Sequence, residues 1–249
     1  LHSTSRRQRQ MCIRDRFLYL CLGFCRGAHS PQLIESVAAY GYAGLALTDH
    51  NAVTGLLEVT EELQRKNNCL VLPGIEWTTF YGHLLVIGCD RFVDWRFVTP
   101  DTIDEALQEI RAAGGIAGVA HPCEVGSPLM CGCNWEFRVK RWDLMDYVEI
   151  WSGPDPHASA KNGLAMPWYD ALLNQGYHLA ISAGRDWHGP DKPGQIPLLT
   201  ATYLGIDGDV TIENAKAAIR AGRTYVTTGP TVDVTLKQEN RIYSLGQTA

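Results

Sequence analysis

Five short apolar runs, each with a metal-ligand type of residue at one end, constrain this chain more than any other feature. They are Leu45 to His50, Leu70 to Glu76, His83 to Gly88, Ile116 to His121, and Leu179 onward through Asp186 to His188. Four of them place His, Asp or Glu at the C-terminal end, and His83 instead begins its run. In an α/β barrel the C-terminal strand ends converge on one mouth, where functional side chains collect. The pattern fits a hydrolytic site holding several metal ions, assembled from strands far apart in sequence. No single run carries that reading alone.

The segments between the runs supply helices. Residues 17–24 read as a short buried strand. A helix is predicted over 31–41, with Ser30 as N-cap, Pro31 at the first helical position and Gly41 as its stop. Strands are expected at 43–48, 69–75, 83–88, 116–120, 146–151 and 178–183. Further helices are expected at 53–66, from Thr99-Pro100-Asp101 to 113, at 162–175 and at 211–221, with a loop-rich stretch at 122–143. Alternation over Thr231 to Leu236 suits an antiparallel strand. Strands alternating with helices imply a parallel sheet, and this many favour closure into a barrel.

A chain of 249 residues that is 45% apolar can bury one large α/β core, and no Pro/Ser/Gly-rich linker divides it. Net charge is −5, and the sole basic cluster is Arg6, Arg7, Arg9, Arg14 and Arg16. No basic face remains for nucleic acid, and no run approaches the roughly 20 apolar residues of a membrane span. Eight cysteines lack disulfide or zinc-ribbon spacing, which points to reduced thiols and a cytoplasmic protein. Cys69 and Cys89 read as small buried hydrophobes, and Cys131-Gly-Cys133 as a thiol loop in preference to a metal clip. Basic residues ahead of Phe17 to Phe24 resemble the start of a secretion signal. Cys25 to His29 offers no small-x-small cleavage site, however, and the run serves equally as a strand.

Asp186 and His188 stand two apart, so on an extended segment both point to one face, about 6–7 Å apart at the backbone. The bland alternative is a turn-capping Asp and a surface His. His50 follows Asp49, which can fix a ligating imidazole's tautomer or merely cap the next helix with Thr48. Glu76 can bridge two ions through its two oxygens, and a tight turn near Gly82 would return His83 beside it. His121 leaves its strand before Pro122, which stops the hydrogen-bond ladder. His2, His29, His157 and His178 are left as core or surface residues.

Thr-Asp-His50-Asn, Gly-Ile-Glu76-Trp-Thr with Gly-His83, Ala-His121-Pro, Val-Glu149-Ile-Trp and Gly-Arg-Asp186-Trp-His188 follow in order. Together they resemble the PHP (polymerase and histidinol phosphatase) superfamily over residues 17–236. Gly82-His83 and the tail from Ala221 to Pro230 are similar to its CehA/McbA-type metallohydrolase branch. The resemblance implies a distorted (β/α)7 TIM-like barrel with a short C-terminal β extension, and two or three divalent ions of zinc, manganese or iron. It makes Glu76 the bridging carboxylate, completed at one position by His83 and His121. His50 and His188 would hold another ion, and Asp186 would join Glu76 at a third. Glu76, Asp186 and His188 become the catalytic set. The reaction implied is hydrolysis of a small-molecule phosphoester, or another ester or amide, with metal-bound hydroxide as nucleophile.

The first family motif, His-x-His followed by an acid, is absent. Tyr19, Cys21 and Arg26 stand at those positions. Two explanations compete: a degenerate, impaired site that binds metal or ligand without turnover, or a non-native start. Leu1 is not an initiator Met, and Gln8 to Arg16 resembles translated sequencing-adaptor read-through, so 1–16 is expected to be a leader outside the fold. A PHP-like domain is then expected over 17–230, with 231–249 the start of a truncated β segment. An amidohydrolase reading would want a metal-bridging lysine or His-x-His on the first strand, and neither is evident. Trp77, Trp151 and Trp187 are expected as apolar substrate walls or core residues. Arg185, Lys161 and Arg141 are expected as anion-holding groups or surface charges.

Overall fold

In the computed structural model, residues 16–21, 30–126, 133–188, 200–232 and 234–244 are described, with side chains from residue 30 onward. The elements run β1 (Arg16–Cys21), α1 (Ser30–Ala39), β2 (Gly44–Leu47), α2 (Glu61–Asn67), β3 (Leu70–Thr79), β4 (Gly82–Ile87), α3 (Ile103–Ala112) and β5 (Ile116–Ala120). There follow β6 (Tyr147–Ser152), α4 (Ala160–Asn174), β7 (Ala180–Gly184), β8 (Ala201–Ile206), α5 (Ile212–Arg220), β9 (Thr224–Thr227), β10 (Thr235–Gln238) and β11 (Arg241–Ser244). Residues 1–15 of the proposed leader, the two residues replacing the first acidic motif (Cys25 and Arg26), and Cys131 lie outside the described residues, while Arg16 belongs to β1 and pairs with Ile206.

Strands β1 to β9 form one curled sheet in the order β7-β6-β5-β4-β3-β2-β1-β8-β9, while β10 and β11 pair as a separate exposed hairpin. The sheet is mixed, more so than the parallel sheet that alternation implied, and the β3–β4 pair is the tight-turn hairpin expected at Gly82. β1–β2–β3 and β5–β6–β7 are parallel, but β4 runs against both neighbours, and β8 runs against β1 and β9. The sheet's two ends meet through side chains. Thr202 Oγ1 accepts from Ala183 N (2.8 Å) and donates to Ala183 O (3.1 Å), and Thr224 Oγ1 accepts from Ile181 N (3.1 Å). Threonine hydroxyls thus replace ladder bonds along the seam.

Alternation along each strand sorts the core. Inward residues such as Leu72, Leu85, Ile116, Tyr147, Ala180 and Leu204 pack with Ala215, Ala218 and Ile219 of α5. Helix α5 thereby closes one end of the barrel, held by buried Lys216, whose Nζ donates to Gly88 O (3.1 Å) and Gly114 O (3.0 Å). Outward residues pack beneath α3 and α4 on one side, and beneath α1 on the other.

The helix expected over 53–66 is broken. A 3-10 turn spans Thr54–Glu58, and α2 starts afresh because Thr60 caps it, its hydroxyl accepting from Leu63 N (3.1 Å). Asn68, at φ 48°, ends α2 in the left-handed conformation. Strands β8 and β9 were not anticipated.

Candidate metal centre

The ladder between β2 and β3 runs on past the end of β2, and this brings His50 opposite Glu76. Glu76 N donates to Asp49 O (3.1 Å), and Asn51 N donates to Glu76 O (2.9 Å). Asn51, at φ 51°, then uses its side chain as a substitute peptide: Oδ1 accepts from Thr78 N and Nδ2 donates to Thr78 O, both at 2.9 Å. The β3–β4 hairpin turns at Gly82, whose φ of 136° favours glycine and whose added Cβ would meet Trp135 at 2.9 Å. The turn pairs Thr78 with His83 and returns His83 to Glu76.

Glu76 is 2% exposed. Its Oε1 lies 2.8 Å from His83 Nδ1 and 3.3 Å from His121 Nε2, and its Oε2 lies 3.7 Å from His50 Nδ1. Burial pushes this carboxyl's pKa up, but hydrogen bonds from His121 and His83, with the charges of His121 and His50, outweigh it and hold Glu76 ionised. At His121 burial opposes the charge. Glu76, helped by the charges of Glu149 and Asp186, overcomes it and lifts the imidazole to about 9. The centre is therefore a buried anion surrounded by imidazoles.

His188 Nδ1 lies 2.8 Å from the carbonyl of Asp186, which only accepts, so the proton sits on Nδ1 and Nε2 carries a lone pair. His50 Nδ1 lies 2.5 Å from Thr78 Oγ1, and that hydroxyl points its proton toward Glu76 O (3.4 Å). His50 then donates through Nδ1 and also presents a lone pair at Nε2. The two Nε2 atoms face each other at 3.3 Å. Two lone pairs at that separation repel unless a cation lies between them, and ligand atoms around a four-coordinate zinc with bonds near 2.0–2.1 Å stand about that far apart. His83 Nε2 and His121 Nδ1 are buried without hydrogen bonds, as a coordinating donor set also requires. The residues present fit divalent metal ions.

Among the described residues two groups satisfy the spacing of a metal position, each within 4.8 Å: His50, Glu76 and His83, and His121, Glu124 and Asp186. His121 (φ 27°) and Asp186 (φ 48°) are both left-handed, a conformation costly for non-glycine residues that gathers at functional sites. Asp186 is thus not on an extended segment. Its carboxylate joins His121 and Glu124 while staying 3.6 Å from His188 Nδ1, and His188 Nε2 faces His50.

Glu124 carried no sequence signal beyond standing three residues after His121. Glu149 stood in a recognised motif without a role. It is buried and accepts from His121 N at 3.0 Å, and burial, reinforced by the charges of Asp186 and Glu76, raises it to about 8 despite His121.

Several neighbours differ from expectation. Asp49 Oδ2 accepts from Gly55 N (3.2 Å), bracing the turn after His50, and Thr78 is the group at His50 Nδ1. Trp77 is fully buried in the core beneath α3, in keeping with the core alternative. Trp151 stands edge-on to His157 at 5.5 Å. Arg185 is buried, its guanidinium 5.6 Å from the Tyr40 ring centre and 5.0 Å from that of Trp187, so it is no surface charge. Arg141 forms an exposed fork with Asp143, and Lys161 pairs with Glu124.

No protein-family model matches the chain, and no curated protein matches its sequence. Solved structures do match it. A two-domain Bacteroides vulgatus protein containing a predicted PHP-like metal-dependent phosphoesterase superposes with a TM-score of 0.61 at 16% identity, over 86% of this chain and 65% of its own. The present chain therefore spans just under two thirds of that protein. A candidate metal-dependent phosphoesterase from Bifidobacterium adolescentis gives 0.50 at 15% identity, over 70% of this chain and 89% of its own. An amidohydrolase from Chromobacterium violaceum, with sulfate bound and no metal, gives 0.48 at 18% identity, over 69% and 88%. The first two likenesses show a shared fold, an α/β barrel-like sheet with its covering helices. Among the described residues no helix is long and apolar enough to cross a membrane.

Proposed function

We propose that this chain is a metal-dependent hydrolase of small-molecule phosphoesters, built on a PHP-like barrel and allied to the CehA/McbA-type branch. The observation that carries the reading is the shared carboxylate: one oxygen of buried Glu76 serves both His83 and His121, beside the facing lone pairs of His50 and His188. Divalent ions such as zinc or manganese, when bound there, supply Lewis acidity and lower the pKa of water.

The chain's own residues set the geometry. Glu76 keeps a negative charge at the centre, Thr78 fixes the tautomer of His50, the Asp186 carbonyl fixes that of His188, and Glu149 holds the backbone of His121. Asp186 and His188, both partly exposed, stand where a substrate arrives.

The test is hydrolysis of nitrophenyl phosphate mono- and diesters against nitrophenyl carboxyl esters, with Mn2+ or Zn2+ added. Phosphoester turnover that falls at least about 100-fold in Glu76→Ala and His188→Ala supports the reading. Turnover confined to carboxyl esters replaces the substrate class. Tight metal retention without any turnover, even with histidines restored at Tyr19 and Cys21, supports a binding protein instead.

A further inference from the structure

The β3–β4 connection leaves one outer face of the sheet without a helix. Parallel strands are joined by a crossover helix, and that helix covers the outward side of the sheet. β3 instead turns directly into β4 at Gly82, so its outward residues are covered by the 3-10 turn Thr54–Glu58 and the segment from Gly88 to Val93. That cover is incomplete. A cavity of about 280 Å³ lies beneath it, at the lower end of the range for small-molecule sites. The strands contribute Ile75, Trp77 and Val86, and the covering segments contribute Leu56 and Val93. Alternation along β3 puts Glu76 on the opposite face, so the cavity is separate from the metal centre.

The lining is apolar apart from Cys89, Asp90 and Arg91. Trp77 is 0% exposed, and its indole Nε1 has no hydrogen-bond partner among the described residues. An indole N–H only donates, and burying it without an acceptor is costly. We propose that this cavity binds a small, neutral, apolar molecule through one carbonyl oxygen, which accepts from Trp77 Nε1. A hydroxyl fits less well, because it would bring a proton of its own into an apolar space. A carboxylate would lose its hydration there, and exposed Asp90 and Arg91 put one charge of each sign at the rim, with no net attraction for an ion. The ligand is therefore a ketone or a similar uncharged carbonyl compound.

Acetophenone and α-methylstyrene share a shape and differ by a carbonyl against a methylene. Binding of each to the full-length protein is measured by calorimetry. The Trp77 Nε1–H resonance, assigned by its loss in Trp77→Phe, is followed by heteronuclear NMR. One acetophenone per chain is expected to bind about tenfold more tightly than α-methylstyrene, the worth of one hydrogen bond, and to move the Trp77 resonance downfield. In Trp77→Phe the two compounds are expected to bind within about twofold of each other, and retained α-methylstyrene binding shows that the variant is folded. Leu56→Trp fills the cavity and is expected to weaken both by at least about tenfold. The wild-type preference and Leu56→Trp carry the test should Trp77→Phe fail to fold. No acetophenone binding to wild type, a Trp77 resonance that does not move, a preference that survives in Trp77→Phe, or an unaffected Leu56→Trp would overturn the proposal. Benzoate binding as tightly as acetophenone would also overturn it, because the site would then select an anion. None of these readouts needs turnover or bound metal, so the outcome is independent of the hydrolase reading.

Discussion

Replacing Thr202 by valine removes one hydroxyl and keeps the shape, and it should open the seam that closes the barrel. Thr202 is fully buried, and its Oγ1 satisfies both the N–H (2.8 Å) and the carbonyl (3.1 Å) of Ala183. Valine fills the same volume with a methyl group that can do neither. Each buried backbone group left without a partner costs about 1–3 kcal/mol, so the pair should cost about 2–6 kcal/mol. That is a large fraction of the roughly 5–15 kcal/mol that holds a domain together. Thr202→Ser keeps the hydroxyl and loses a methyl, worth about 1 kcal/mol. With an m-value near 3 kcal/mol per molar urea, Thr202→Val should lower the unfolding midpoint by about 1 M and Thr202→Ser by about 0.3 M. Ala183 lies three residues before Asp186, so the same substitution should loosen the second ligand group. Equal midpoints for the valine variant and wild type would refute the reasoning, because the seam would then not depend on the hydroxyl.

Gly118 faces inward on β5, where an added Cβ would fall inside the ring of fully buried Tyr147. Gly118→Ala should cost about 1–3 kcal/mol of stability in urea unfolding, and Gly118→Ala combined with Tyr147→Leu should recover part of that loss. Burial pushes the Cys69 thiol up to about 12 from an ordinary 9.0. A folded-state pKa above the unfolded one stabilises the fold fully below about pH 9, and that stability is lost as pH rises toward 12, by about 1.4 kcal/mol per pH unit. Unfolding midpoints measured from pH 8 to 11 should therefore fall for wild type and fall less for Cys69→Ala. At pH 8 a disulfide reagent should modify Cys69 only on unfolding.

Much of the barrel was legible because its signals are local. The apolar runs ending at His50, Glu76 and His121 read directly as strands, and Pro31 and Gly41 bracketed α1, while Ser30 lies within the helix and its hydroxyl donates to Gly55 O instead of capping it. The helix expected over 53–66 failed because Thr60 caps a new helix within the span, and that bond outweighs continued amphipathic periodicity. Strands β8 and β9 are defined by partners distant in sequence, and the threonines that close the ring have no local signature. At the site, residue types at strand ends pointed to the right segments, but how they group depends on backbone turns. Asp186 was read as sharing an extended face with His188. Its φ is left-handed, so the segment is not extended, yet its carboxylate reaches His121 and Glu124 and also stays 3.6 Å from His188 Nδ1. Glu124 and Lys161 meet only because a loop and a helix fold over one strand end.

The most direct test of the central claim is metal stoichiometry on metal-stripped wild type and Glu76→Gln, measured by mass spectrometry after dialysis against Zn2+ and Mn2+. Glutamine keeps the size of the side chain and removes the charge that His83 and His121 surround. The account predicts at least one tightly held ion in wild type and loss of at least one in the variant, with the fold intact by circular dichroism. Equal metal content in the two proteins would contradict it, because a centre organised on the Glu76 carboxylate cannot be indifferent to its charge.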